Sequence, residues 1–264
     1  MIEEPNTQTA ITGDDVPTLA AIGVLAFLAT ILAHEGIGHG GGCIAIGGHP
    51  VLHPVSMQCA VVTRATTAAG PLMNFLLGTG LWVVLRRVRF RSPRPRYFLW
   101  ITMAFNWFLG AGYLLLGCVA GFGDWPIVFQ NSQSPWLWRI IAVPLAVAMY
   151  YFFMRQGAST GSDYLSPAQS AKAARMHTLV PYLAAGCVAC AASVLSPFGM
   201  RYVLLAAAAS FGGNCGLLII HDWGVAPGDG PLPCVTRSYP WITAALVAAA
   251  FYIVCIGPGF QLPL

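Results

Sequence analysis

Residues 29 to 48 read ATILAHEGIGHGGGCIAIGG, and within them His34, Glu35 and His39 are residue types that hold and use a divalent metal. Zinc accepts imidazole nitrogen and carboxylate oxygen, and a glutamate beside it can act as general base for an attacking water. The usual zinc-hydrolase motif, His-Glu-x-x-His, places its histidines four apart, whereas His34 and His39 are five apart. At 3.6 residues per turn, side chains four apart diverge by about 40° and those five apart by about 140°. A regular helix therefore turns one imidazole away from an ion held by the other. An extra residue absorbed as a π-type bulge brings both back to one side. The spacing predicts a distorted helix between Glu35 and His39, centred on Gly36 to Gly38. Glycine takes such dihedrals at small steric cost, and the same glycines would equally serve close approach by another helix.

Glu35 sits in an apolar run, where an ionisable group costs about 2.5–3.5 kcal/mol even on lenient insertion scales. It calls for a cation. The competing reading is a pair of histidines satisfied by neighbouring backbone carbonyls, with no metal.

The elements that must position these residues are membrane helices. The chain has 264 residues, 57% apolar and only 8% charged, against roughly 25% charged in a soluble domain. This composition excludes an ordinary soluble fold. A helix needs about 20 apolar residues to cross a bilayer core, and seven stretches qualify: 17–38, 67–86, 97–120, 136–154, 178–197, 200–221 and 239–257. The fold class expected is an all-α polytopic membrane protein of six to seven transmembrane helices. It divides into an N-terminal tail (1–15), a core (16–126) and additional helices (127–264). Asp15-Val16-Pro17 reads as a helix N-cap with proline in the first turn. The first 15 residues carry Glu3, Glu4, Asp14 and Asp15 but no basic residue, which is unlike a cleaved signal peptide. The location expected is a multi-pass position in a bacterial inner (plasma) membrane.

The stretch RRVRFRSPRPR, residues 86 to 96, holds six arginines in eleven residues. It reads as a short cytoplasmic loop obeying the positive-inside rule, with no nucleic-acid partner expected. Alternation then puts the N-terminus inside, and the 155–177 connection, with Arg155, Lys172 and Arg175, falls inside too. A short interfacial helix is expected there from Ser166-Pro167. Eight cysteines are scattered mostly within apolar spans; Cys187-x-x-Cys190 reads as packing, and a disulfide-rich architecture is not indicated.

Two further stretches follow in order on the second and third spans: AAGPLMNFLLG (68–78) and FNWFLGAGYLLLGCVAGFGDW (105–125). With His34-Glu35 they resemble the three signature regions of the site-2 protease family of intramembrane zinc metallopeptidases. Members carry a His-Glu helix, a Gly-Pro-x-x-Asn helix and a later aspartate near an Asn-containing segment. The resemblance covers residues 17–126, about half the chain. It implies a site-2-protease-like three-helix core, with Zn2+ held by His34, His39 and Asp124. Glu35 would be the general base, and Asn74 a catalytic neighbour in a Gly70-Pro71-x-x-Asn74 motif. The partners implied are the lipid bilayer and a transmembrane protein substrate. The first motif is one residue longer than the family pattern and resembles instead the His-Glu-x-x-Gly-His variant of soluble dipeptidyl-peptidase III enzymes. The third reads Phe-Gly-Asp-Trp where Leu-Asp-Gly is common. Family members generally place the motif toward the cytosolic side, whereas the arginine loop places His34 toward the opposite face.

Three protein ligands with one open position suit catalytic rather than structural zinc. The rival from another class is a non-enzymatic membrane subunit or transporter, with Glu35, Asp124 and the histidines as a metal or proton path. The segment GHPVLHPVSMQCAVVTRA (48–65) can form a short β-hairpin whose edge pairs with an unwound substrate strand, or it is a plain connecting loop. His49 and His53 within it are expected to be solvated. His177, His221 and Asp222 fall near span ends, where polar groups snorkel, and are assigned no role.

Overall fold

A computed structural model describes residues 13–129, 136–165, 171–223 and 233–262. The interfacial helix expected from Ser166-Pro167, and Glu3 and Glu4, lie outside the described residues. Among the described residues six helices are long and apolar enough to cross a membrane and three short strands are present; the chain is an all-α polytopic membrane protein.

Helix α1 runs Val16–Ala45 as one span, capped as the sequence predicts: Asp15 accepts from the backbone N–H of Thr18 at 3.0 Å and from its hydroxyl at 2.7 Å. After a hairpin of β1 (Val51–His53) and β2 (Ser56–Gln58) come α2 (Arg64–Arg87), α3 (Pro93–Ala120) and a short α4 (Asp124–Phe129). Helix α5 (Leu137–Thr160), a single turn α6 (Ser162–Leu165) and α7 (Ala171–Val194) follow. The chain closes with α8 (Met200–Ala207), α9 (Tyr239–Phe251, continued in wide turns to Ile256) and β3 (Phe260–Gln261).

Helix α3 is the hub, with Trp100, Trp107, Phe105 and Phe108 all buried against its neighbours. Asn106 donates to the Thr30 hydroxyl at 2.9 Å and to the Thr102 carbonyl at 2.8 Å. That pins α3 to α1 where each unsatisfied polar group would be expensive. At the other extreme α9 has a mean hydropathy of 1.9 while only 11% of its window is buried inside the protein. A helix so apolar and so uncovered needs lipid as its solvent.

The seventh expected span, 200–221, crosses the protein but is not one helix. After α8 the chain makes wide turns through Gly212, then two single 3-10 turns, Cys215–Leu218 and Ile220–Trp223. The break has local causes. Asn214 bonds back to the Ser210 carbonyl at 3.0 Å, and the Tyr150 hydroxyl accepts from the backbone N–H of Gly216 at 2.6 Å. Gly213 lies so close to Gly112 that a Cβ on Gly112 would stand 2.4 Å from its carbonyl oxygen.

The hairpin is real and larger than expected: β1 pairs antiparallel with β2 and, on its other edge, with β3 from the far end of the chain. Cys43 and Cys59 form a disulfide that ties the end of α1 to the hairpin. Two expectations are corrected. His53 is only 3% exposed, not solvated, because Phe198 and Tyr202 pack edge-on against its ring at 5.0 and 6.2 Å. His177 does not snorkel but is wholly buried, with Nδ1 donating to the Ala173 carbonyl at 3.1 Å and Tyr97 and Tyr164 against its ring.

Helices α1 and α2 meet backbone to backbone: a Cβ on Gly38 would stand 2.6 Å from the Gly70 Cα, while one on Gly41 meets nothing within 4 Å. Gly38→Ala is therefore expected to cost about 1–3 kcal/mol through overpacking. Gly41→Ala should be neutral or stabilise by up to about 1 kcal/mol. Thermal unfolding of the two variants in detergent checks this; equal midpoints would refute the close packing.

Candidate metal centre

The distortion predicted between Glu35 and His39 is present and longer than the spacing alone required. Nine residues, Leu32–Gly40, wind as a π-helix inside α1. Both imidazoles consequently project to one side, with their Nε2 atoms 3.2 Å apart and the rings nearly perpendicular, at 83°. His34, Glu35 and His39 are 2%, 5% and 6% exposed.

Asp124 reaches the same point from a different element. Helix α3 stops at Gly121, whose left-handed φ of 74° ends it, and Gly123, at φ 93°, turns the chain so that Asp124 begins α4 over the site. Residues with side chains rarely take such dihedrals. The Asp124 carboxylate places Oδ2 3.2 Å from His34 Nε2 and Oδ1 3.3 Å from His39 Nε2. Glu35 stands a little farther back, Oε1 3.9 Å from His34 Nε2, and its Oε2 is buried without a hydrogen-bond partner.

The far ring nitrogens decide what the near ones are. His39 Nδ1 donates to the Thr66 carbonyl at 2.8 Å, and His34 Nδ1 donates to Asn74 Oδ1 at 3.1 Å. In neutral rings this leaves each Nε2 as a lone pair. With both rings neutral, two imidazole lone pairs and two carboxyl groups thus converge on one point, an arrangement that could hold a metal ion. The separations also fit one. Ligands at about 2.0–2.1 Å around a tetrahedral zinc stand roughly 3.3 Å from each other, close to the 3.2, 3.2 and 3.3 Å found among the two imidazoles and Asp124.

Helix α2 supplies the supports. A Cβ on Gly70 would fall 2.3 Å from His39 Nε2, so glycine there gives the ring its room. Asn74, one turn on, is fully buried against His34. Thr66 belongs to a capping box with Thr63, their side chains and backbone N–H groups bonded reciprocally at 2.9 and 3.1 Å, which fixes the carbonyl that holds His39. Sequence reasoning placed Gly70, Pro71 and Asn74 here through a motif, and the structure sets Gly70 against His39 and Asn74 against His34.

Three contributors were missed. The Tyr113 ring lies tilted against His34, centroids 5.5 Å apart, and shares its cavity; only its position seven residues after Asn106, on the same helical face, hinted at this. Thr66 was legible as a Thr-x-x-Thr start to α2. Cys59 lines the cavity through its disulfide, and Cys43 and Cys59 were distinguishable as the cysteines flanking the first loop.

The cavity over the centre holds about 340 Å³ and is walled by these residues, by Val55, Ser56 and Met57 of the hairpin, and by Phe122 and Ile127. A second, apolar cavity of about 190 Å³ between α1 and α9 also has Glu35 in its wall, with Leu28, Ile31, His53, Phe251 and Tyr252. No family model, curated protein or solved structure matches this chain.

Loss of a ligand's outer hydrogen bond typically weakens metal binding 10–100-fold. Asn74→Ala should therefore lower zinc affinity by roughly that factor with the fold retained, and Gly70→Ala should lower it by displacing His39. Chelator competition on the purified variants measures both, and wild-type affinity in Asn74→Ala would remove that residue from the centre.

Proposed function

We propose that this protein is an intramembrane zinc metallopeptidase, similar to site-2 proteases in its three motif-bearing helices, that hydrolyses peptide bonds of membrane-embedded proteins. One observation carries the reading: two imidazole nitrogens and an aspartate at tetrahedral separations, with a free glutamate carboxylate 3.9 Å from the nearer imidazole. His34, His39 and Asp124 would hold the metal, because both imidazoles stand closer to Asp124 than His34 does to Glu35. Bound zinc would supply Lewis acidity to the scissile carbonyl and to water. Glu35, with Oε2 unpartnered, would accept the proton of the attacking water and pass it to the leaving nitrogen. Asn74 would act through His34, holding its ring rather than touching the substrate.

The hairpin suits the same chemistry. Strand β1 is paired on both sides, whereas the outer edge of β2 has no strand partner among the described residues, and Ser56 and Met57 wall the cavity. An unwound substrate segment can add to that edge through main-chain hydrogen bonds, which presents its amides to the centre; in a helix they are shielded.

A second reading, a metal or proton path without hydrolysis, draws on the two cavities that both have Glu35 in their walls. One substitution separates them. Removing a general base costs roughly 10²–10⁴-fold in rate, so Glu35→Gln should abolish cleavage of a co-expressed single-span membrane protein while the purified variant keeps its zinc. Unchanged cleavage in Glu35→Gln, or none by the wild type across a panel of such substrates, would overturn the peptidase reading.

A further inference from the structure

We infer that the metal centre opens to the non-cytoplasmic face of the membrane, so that its substrates are membrane polypeptides presenting a scissile bond in the outer-leaflet half. The sidedness stands on the fold, the charge distribution and the disulfide, and the substrate class rests on the peptidase reading above.

The two ends of the helical bundle differ in charge. Asp15, Val235 and Ser238 share one end, linked by the Asp15 N–H to the Val235 carbonyl at 2.9 Å and the Ser238 N–H to the Thr18 hydroxyl at 3.0 Å. Arg94 joins them by donating to the Thr236 carbonyl at 3.1 Å, and Arg96 pairs there with Asp163. Following the helices from that end, it collects the six arginines of 86–96 with Arg155, Lys172, Arg175 and Arg237, ten of the chain's thirteen basic residues. The opposite end, with the hairpin, α4 and the α7–α8 turn, keeps Arg64, Arg139 and Arg201. Lysine and arginine accumulate on the cytoplasmic side of membrane proteins, which makes the first end cytoplasmic.

An independent chemistry gives the same answer. The Cys43–Cys59 disulfide lies at the second end, between the last turn of α1 and the hairpin. Disulfides persist in the periplasm, the lumen of the secretory pathway or outside the cell, and cytosolic thiols are kept reduced. Forming this bond removes two electrons and two protons from the thiols, taken up by exchange with an oxidised protein dithiol of such a compartment. Among the described residues the other six cysteines form no disulfide.

The metal centre belongs to that oxidising end. Cys59, Met57 and Val62 wall the cavity above it. His39 lies six residues before the end of α1 at Ala45, about 9 Å below it at 1.5 Å per residue. Val16, at the cytoplasmic end, is twenty-three residues away along the same helix.

Impermeant maleimide labelling of the full-length protein in intact and permeabilised cells tests the orientation, with wild type as background for the native thiols. His49→Cys, exposed on the hairpin side, and Arg91→Cys, exposed in the arginine loop, both lie away from the centre. His49→Cys should label in intact cells and Arg91→Cys only after permeabilisation, with Cys43 and Cys59 labelling only after reduction. The reverse pattern, or free Cys43 and Cys59 in the unreduced protein, would overturn the sidedness whatever the activity. Product termini from a cleaved single-span protein then locate the bond: the outer-leaflet half supports the substrate class, and the cytoplasmic half refutes it. Expected labelling without any cleavage refutes the peptidase reading and the substrate class, and leaves the sidedness established.

Discussion

The structure turns on one electrostatic demand: four hydrogen-bond acceptors, the Nε2 atoms of His34 and His39 and the carboxylates of Glu35 and Asp124, face one another in a buried space. Like groups of that kind repel in a low-dielectric interior unless a cation sits among them. Much of the surrounding architecture follows from making that convergence geometrically possible. The nine-residue π-helical stretch in α1 puts both histidines on one side. Gly70 of α2 clears room for the His39 ring, and the Thr66 carbonyl and Asn74 amide orient the rings by their far nitrogens. Two left-handed glycines, Gly121 and Gly123, turn the end of α3 so that Asp124 comes over the site.

The supports are themselves held by ordinary membrane-protein devices. Small residues let α1 and α2 touch at Gly38 and Gly70, and buried polar bonds such as Asn106 to Thr30 keep α1 and α3 in register, as interhelical contacts do where no hydrophobic force drives helices together. The hairpin, closed by Cys43–Cys59 and stitched to the last strand through β1, roofs the cavity. The chain after α4 thus contributes to the site's surroundings: the Tyr202 hydroxyl pairs with Ser56 at 2.5 Å, and Tyr252 donates to the Pro54 carbonyl at 2.5 Å.

Local signals carried a good part of this. The Asp15 cap, the six long helices and the helical distortion all follow from short-range rules of capping, length and angular spacing, and the order of three motifs brought His34, Asn74 and Asp124 onto neighbouring helices. What the sequence could not show depends on contacts between distant segments. The pairing of β3 with β1 joins residues some two hundred apart, and the burial of His53 needs Phe198 and Tyr202 from beyond α7. The break in the seventh crossing needs Tyr150 of α5 to satisfy the turn. Hydropathy read that stretch as one helix because apolar content reports the crossing and not the backbone that makes it.

Zinc-edge X-ray absorption on the purified wild-type protein tests the central claim most directly. One zinc per chain is expected, with two imidazole nitrogens and a carboxylate oxygen at about 2.0–2.2 Å. A protein that stays metal-free in zinc-containing buffer, with a proton resolved on Nε2 of His34 or His39 by NMR, would show that an imidazolium supplies the missing positive charge and would contradict the metal centre.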